Sequence, residues 1–211
     1  MVIEDGILTT DVFVKQYGED ELEKRIKKFD CYDPKNKKCL KKYRKYKKEC
    51  NSINTFLNSN AHSYSKLNYV KTYLLIMNNE IAGYASLRMG ELRLIKNFKT
   101  DHHFPKALNN TSLDDGGRYS SLIIDYFAID KKYQHKYIGS SFMKKIFEIA
   151  TSLAEQAGCT ILKISNAVES ARGFYDKFKF TVPNSRNNNG TCDLAMSMLE
   201  VRETLKENKE H

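Results

Sequence analysis

The sequence predicts a mixed α/β protein, a β-sheet flanked by helices, on three observations. Leu122–Ile129 is a near-continuous apolar segment, the pattern of a strand buried on both faces. A polar turn, Asp130–Tyr137, follows it, and Gly139 to Gly158 then carries apolar side chains at helical spacing: Phe142, Ile146, Ile149, Ala150, Leu153, Ala154 and Ala157. Thr160–Ser165 alternates as a second strand, completing a strand–helix–strand crossover.

The remaining elements are placed around that unit. Residues 1–34 hold an acidic helix start, Glu19 to Lys28, and a turn at Asp33-Pro34. A basic helical segment spans about 35–58, with Leu40, Tyr43, Cys50, Ile53 and Leu57 as its apolar stripe. Tyr69–Met77 and Glu80–Leu87 read as a hairpin turning at Asn78-Asn79, with Gly83 as a bulge or a point of close approach. Residues 88–120 lack a regular pattern and read as a loop insertion facing substrate. Ser170–Phe178 reads as a helix, Thr191–Leu199 as a last strand, and 200–211 as a charged, frayed tail. No repeat or composition shift divides the chain, so 1–211 is expected to be a single domain.

Composition narrows the function classes. The 211 residues carry a net charge of +9, with 41% hydrophobic and 29% charged residues, as in ordinary globular chains. No apolar run approaches the ~20 residues of a membrane span. Met1–Asp5 lacks the basic and apolar blocks of a secretory signal. Cys31, Cys39, Cys50, Cys159 and Cys192 form no C-x-x-C pair, and His102-His103 has no ligand partners at metal spacing. Reduced thiols, a cytoplasmic location and no metal are the expectation. Lys35 to Lys48 holds nine Lys/Arg and no acid, so this one window matches the whole net charge. It is either a solvated helix face or an electrostatic footprint for a polyanion, with Lys41, Lys42, Arg44 and Lys45 at its centre.

The chemistry concentrates at Gln134, His135, Lys136, Tyr137, Ile138, Gly139 and Ser140, between a strand and a helix. A helix N-terminus presents unpaired N–H groups and the positive end of the helix dipole, both suited to phosphate. A plain strand–helix turn is the competing reading, and the dinucleotide and nucleotide glycine fingerprints are both missing.

Residues 69–199 resemble the GNAT N-acetyltransferase superfamily. Its pyrophosphate loop reads Gln/Arg-x-x-Gly-x-Gly/Ala; Gln134 and Gly139 match, and Tyr137 replaces the first glycine. Asn166 to Phe180 resembles the family's N-x-x-A-x-x-F-Y-x-x-x-G-F block, with Lys179 in place of its glycine. The resemblance implies a GNAT fold: a mixed, mostly antiparallel sheet with splayed central strands and flanking helices. It implies acetyl-CoA as cofactor, held by the main chain of Phe127, Ala128 and Ile129, by the turn 134–140, and near Asn166. It also implies that Tyr175 protonates the departing CoA thiolate, a role suited to a phenol that is neutral at pH 7.

The helix 139–158, the block after it, the long preceding loop and the opening Phe29-Asp30-Cys31-Tyr32 look like GNAT toxins of bacterial toxin–antitoxin modules. Those relatives acetylate the amine of aminoacyl-tRNA. The implied function is therefore acetyl transfer to a primary amine by direct attack, with charged tRNA as substrate and an antitoxin as partner. An α-amine with a pKa near ~8 needs little help from a base, which fits the want of a clear one: Asp125 and Glu80 qualify by carboxylate type alone. Two alternatives stand beside this reading: acetylation of a small-molecule or protein amine, and a non-catalytic CoA-binding module. A homodimer through the last strand or the basic helix is compatible with all three.

Overall fold

A computed structural model of the protein, which describes residues 2–35, 43–93, 118–183 and 192–207, contains a six-stranded sheet in the order β1-β2-β3-β4-β5-β6. The strands are β1 (Gly6–Thr9), β2 (Lys71–Met77), β3 (Glu80–Arg93), β4 (Arg118–Ile129), β5 (Ile161–Ala167) and β6 (Cys192–Ser197). The helices are α1 (Thr10–Tyr17), α2 (Glu19–Ile26), α3 (Tyr43–Ser59), α4 (Ala61–Lys66), α5 (Ile138–Ala157), α6 (Arg172–Tyr175) and α7 (Met198–Glu207). The pairs β1–β2, β2–β3 and β5–β6 are antiparallel, and β4–β5, joined through α5, is parallel as the crossover requires.

The chain forms two compact units, Met1–Arg88 with Tyr126–Met143, and Met89–Asp125 with Lys144–His211. In the first, β2 alternates, burying Thr72, Leu74 and Ile76. Phe13 of α1, Leu22 and Ile26 of α2, and Tyr46, Cys50, Phe56 and Leu57 of α3 join Leu74, Ile76 and Tyr84 in one core. Of the expected stripe, Cys50 and Leu57 are buried and Ile53 is partly buried, with Tyr84 Oη donating to the Ile53 carbonyl at 2.8 Å, while Leu40 lies outside the described residues. In the second unit, Phe147 of α5 packs on Phe178 and Phe180, with ring centroids 5.5 and 6.0 Å away. Ile161 and Leu162 of β5 and Leu194, Ala195 and Met196 of β6 are fully buried.

Asn78 and Asn79 have φ of 50° and 64°, the paired left-handed residues of a type I′ hairpin turn. The β2–β3 register shifts at Leu75/Ile76, where Gly83 faces Leu75 and Ile81 faces Ile76. Ala82 is the extra residue of this bulge, and Gly83 beside it permits a close approach: a Cβ there would stand 2.9 Å from the Ala128 carbonyl oxygen and 2.7 Å from Ile129 Cδ1.

The structure differs from the sequence expectation in four places. β3 runs on to Arg93 and β4 begins at Arg118, so both ends of the expected 88–120 insertion are strand, and 94–117, with His102 and His103, lie outside the described residues. The last strand ends at Ser197, and residues through Glu207 form α7 rather than a frayed tail. The reason is a capping box: Glu200 N–H donates to Ser197 Oγ (3.2 Å), while Glu200 Oε2 accepts from Ser197 N–H (2.8 Å). Ser170–Phe178 is not one helix but α6 between two 3₁₀ turns. Finally, β1, α1 and α4 are additional to the expected elements; α1 starts at a Thr9 cap whose hydroxyl accepts from Val12 N–H, a signal present in Thr9-Thr10-Asp11.

Candidate active site at the strand–turn–helix junction

The end of β4, the turn 130–137 and the start of α5 form a locally fixed scaffold in the first unit. Asp130 N–H donates to the Ala82 carbonyl (2.9 Å), and the Asp130 carbonyl accepts from Tyr133 and Gln134 N–H (2.8 and 3.2 Å). The Asp130 side chain is 3% exposed; its two oxygens accept from the amides of Asp30 and Lys132, both at 2.9 Å. Two amide donors satisfy the hydrogen-bonding capacity of this buried side chain.

Phe29-Asp30-Cys31-Tyr32 is the clamp on this turn. Asp30 accepts from Asn54 Nδ2 (2.8 Å), Tyr32 N–H (3.0 Å) and Lys131 Nζ (2.8 Å). Burial acts to raise the Asp30 carboxyl, but these donors outweigh it and hold it below the usual carboxylate range. Gln134 Nε2 donates to the carbonyls of Cys31 and Ile129, both at 2.8 Å. Both its amide protons are thereby engaged, so Gln134 positions the turn from within.

The two departures from the family motif both stand at left-handed residues. Tyr137, where the family has glycine, adopts φ 60°, and Lys179, at the other glycine position, adopts φ 65°. Left-handed backbone is what glycine supplies cheaply, and here two bulkier residues accept it. Tyr137 directs its ring to solvent at 84% exposure. Its carbonyl accepts from Ser141 N–H (3.0 Å), the first helical bond of α5. The amides of Ile138, Gly139 and Ser140 precede that bond, at the positive end of a twenty-residue helix. His135 also has φ 60°; its Nε2 stands 3.7 Å from Asp33 Oδ2, and Lys136 is exposed beside it.

Other expected residues take the following places. Phe127 stacks on Phe142, centroids 5.3 Å apart, while Ala128 and Ile129 end β4 in the core. In the second unit, Asn166 has φ 51° at a β5–β6 irregularity and donates its N–H to Asp193 Oδ1 (3.0 Å). Tyr175 is buried, its ring 5.3 Å from Phe174 and 6.1 Å from Phe180, and burial pushes its phenol well above its ordinary pKa. It therefore remains protonated, as a proton donor must. Both oxygens of Glu80 accept from Lys132 Nζ (3.0 and 2.9 Å). Of the basic segment, Arg44 is exposed, Lys45 stands 3.8 Å from Glu49, and Lys41 and Lys42 lie outside the described residues. Sequence reasoning missed Asp130 and the clamp formed by Asp30 and Cys31, because a single Asp and a main-chain carbonyl leave no spacing signature.

Among the described residues, no cluster of His, Cys, Asp and Glu could hold a metal, and no helix is long and apolar enough to cross a membrane. The four described cysteines are free and buried.

Comparison with known proteins gives a consistent result. The chain is similar to AtaT complexed with acetyl-methionyl-tRNAfMet, at TM-score 0.67 and 15% identity over 95% of this chain and 99% of that one. It is equally similar to a tyrosine-to-phenylalanine mutant of KacT, with the same four values. AtaTR bound with AcCoA matches at TM-score 0.62 and 15% identity, over 96% and 99%. No curated protein matches the chain. A model of the acetyltransferase (GNAT) family matches residues 39–180, about two thirds of the sequence, and the chain belongs to that family.

Proposed function

We propose that this acetyltransferase moves the acetyl group of acetyl-CoA to the α-amine of an aminoacyl-tRNA. The observation that carries the coenzyme half is the turn 134–140, which holds left-handed backbone at Tyr137, where the family motif has glycine, and leads into the amides of α5. Bound there, acetyl-CoA would supply a thioester carbonyl for attack by an amine. The amides of Ile138, Gly139 and Ser140, with the helix dipole, hold the pyrophosphate. The main chain of Phe127, Ala128 and Ile129, with Asn166, orients the pantetheine arm. Tyr175 keeps its proton by burial and gives it to the leaving sulfur. An α-amine is substantially neutral near its pKa of ~8, so attack requires no strong base.

Support for the substrate comes from the likeness to AtaT solved with acetyl-methionyl-tRNAfMet, and from the exposed basic face that includes Arg44. AtaT is also solved bound to the C-terminus of the antitoxin AtaR, which makes an antitoxin the matching partner class here. Charged tRNA places the activity in the cytoplasm. The test is transfer of labelled acetyl from acetyl-CoA to bulk charged tRNA, with uncharged and nuclease-treated tRNA as controls. Label on charged tRNA alone supports the proposal; label on none, with acetyl-CoA still bound, moves the substrate to a small-molecule or protein amine.

A further inference from the structure

A cavity of about 350 Å³ lies within the first unit, between α2, the Asn78-Asn79 turn and the start of the turn 130–137. It stands at the small end of ligand pockets, and charged side chains dominate its walls. Three acids line it, and each is already matched. Glu21 pairs with Arg25, Glu80 pairs with Lys132 Nζ at 2.9 Å, and Asp130 accepts the two amides described above. Arg25 is buried and fixed, its Nε and Nη2 donating to the Asn79 carbonyl (3.1 Å) and Oδ1 (2.7 Å).

Two cations remain. Lys24 and Lys28 line the same cavity and are exposed, and neither side chain has an ion-pair or hydrogen-bond partner among the described residues. They lie one turn apart on one face of the chain at α2 and its C-terminal end, where side chains four residues apart are neighbours. The lining holds four cations against three acids, so the cavity offers two flexible ammonium groups and a net positive charge to whatever enters. A compact anion satisfies both lysines at once; an apolar or cationic group satisfies neither.

We propose that this cavity is a phosphate site, separate from the first turn of α5, in which Lys24 and Lys28 hold the phosphate. The inference rests on the proposed function for the ligand's source. Both reactants carry phosphate: the coenzyme has a 3′-phosphate and the tRNA a phosphodiester backbone.

The double variant Lys24→Gln/Lys28→Gln separates these sources in the full chain. Both side chains are exposed, so the fold should persist, and an unchanged melting curve checks it. If the coenzyme supplies the phosphate, the wild-type protein prefers CoA to dephospho-CoA by roughly tenfold, and the variant loses the preference. If tRNA supplies it, the variant binds CoA normally, while tRNA affinity falls roughly tenfold and the slope of log K against log salt becomes shallower by about 1–2. Lys177→Gln/Lys206→Gln, two exposed lysines of the second unit, removes the same charge and should leave both readouts unchanged. Unchanged CoA and tRNA binding in the cavity variant, or an equal loss in this control, overturns the proposal. Titration with inorganic pyrophosphate, followed by the backbone NMR signals of Lys24 and Lys28, reads the site without either reactant. Saturable shifts that vanish in the variant support it, and no shift overturns it, even where acetyl transfer to tRNA fails.

Discussion

Gly83→Ala adds one methyl group at the point where β3 crosses the end of β4. Were there room, the methyl would gain about 0.8 kcal/mol from burial, and relief of glycine's backbone entropy roughly 0.5–1 kcal/mol more. There is no room. The new Cβ would stand 2.7 Å from Ile129 Cδ1 and 2.9 Å from the Ala128 carbonyl oxygen. The Ile129 methyl can rotate away, but the carbonyl belongs to β4, which the bond from Asp130 N–H to Ala82 ties to β3. Overpacking of this kind costs about 1–3 kcal/mol. The matched control is Gly173→Ala in α6, where nothing lies within 4 Å of the added Cβ and φ is not left-handed. There the same change should stabilise by up to about 1 kcal/mol. Thermal melting of both proteins reads the contrast at about 2–4 °C per kcal/mol for a chain of this size. Because Ala128 and Ile129 are in the proposed coenzyme channel, Gly83→Ala should also weaken acetyl-CoA binding. A Gly83→Ala protein as stable as wild type, with unaltered acetyl-CoA affinity, would refute the close-approach argument.

The other predictions concern Tyr175, the supports at Asp30 and Asn79, and the basic segment. Tyr175→Phe should lower kcat by at least roughly 100-fold with little change in KM, and steady-state rates check it; undiminished turnover removes Tyr175 from catalysis. Its raised phenol pKa stabilises the fold below the unfolded tyrosine value near ~10, and that contribution is lost as pH climbs toward the folded value. Asp30→Asn should destabilise by about 1–2 kcal/mol at pH 7, since it weakens the hydrogen bonds of a charged acceptor. Asp30 is depressed in the folded state, so its stabilisation is present above the ordinary carboxylate range and lost as pH falls through the folded value. Urea titrations should therefore show the wild-type and Asn proteins converging below about pH 4. Asn79→Ala removes the acceptor of both Ile3 N–H and Arg25 Nη2 at a left-handed residue and should cost about 2–4 kcal/mol, with Asn79→Gly recovering the share due to backbone strain. Replacing Lys41, Lys42, Arg44 and Lys45 with Gln should weaken tRNA binding and flatten its salt dependence, which filter binding across a salt series measures.

Periodicity carried most of the architecture. The β4–α5–β5 crossover, the Asn78-Asn79 hairpin and the α3 stripe are repeating patterns, and each local choice agrees with the tertiary structure. The elements that went unread are short. A four-residue β1 and a six-residue α4 offer too few positions for a period to emerge. α7 is hard to see in the sequence because apolar residues stand on both sides of Ser197, and only the Ser197/Glu200 capping pair marks the change from strand to helix. In the site, the motif residues were legible, but the support was not. Gln134 looked like a ligand donor, whereas its amide binds Cys31 and Ile129 carbonyls, and main-chain acceptors have no sequence signature. Tyr137 replaces the first glycine of the family's loop motif. Its φ of 60° is left-handed all the same, in a turn anchored by Asp130 and Asp30.

The most direct test of the central claim is the position of the transferred acetyl group. Charged tRNA is incubated with acetyl-CoA and the protein, digested, and its aminoacyl-adenosine analysed by mass spectrometry. The account predicts one added acetyl on the amino acid's α-amine, dependent on the protein and nearly abolished by Tyr175→Phe. Unmodified aminoacyl-adenosine, with acetyl appearing instead on protein lysines or a small amine, would contradict it.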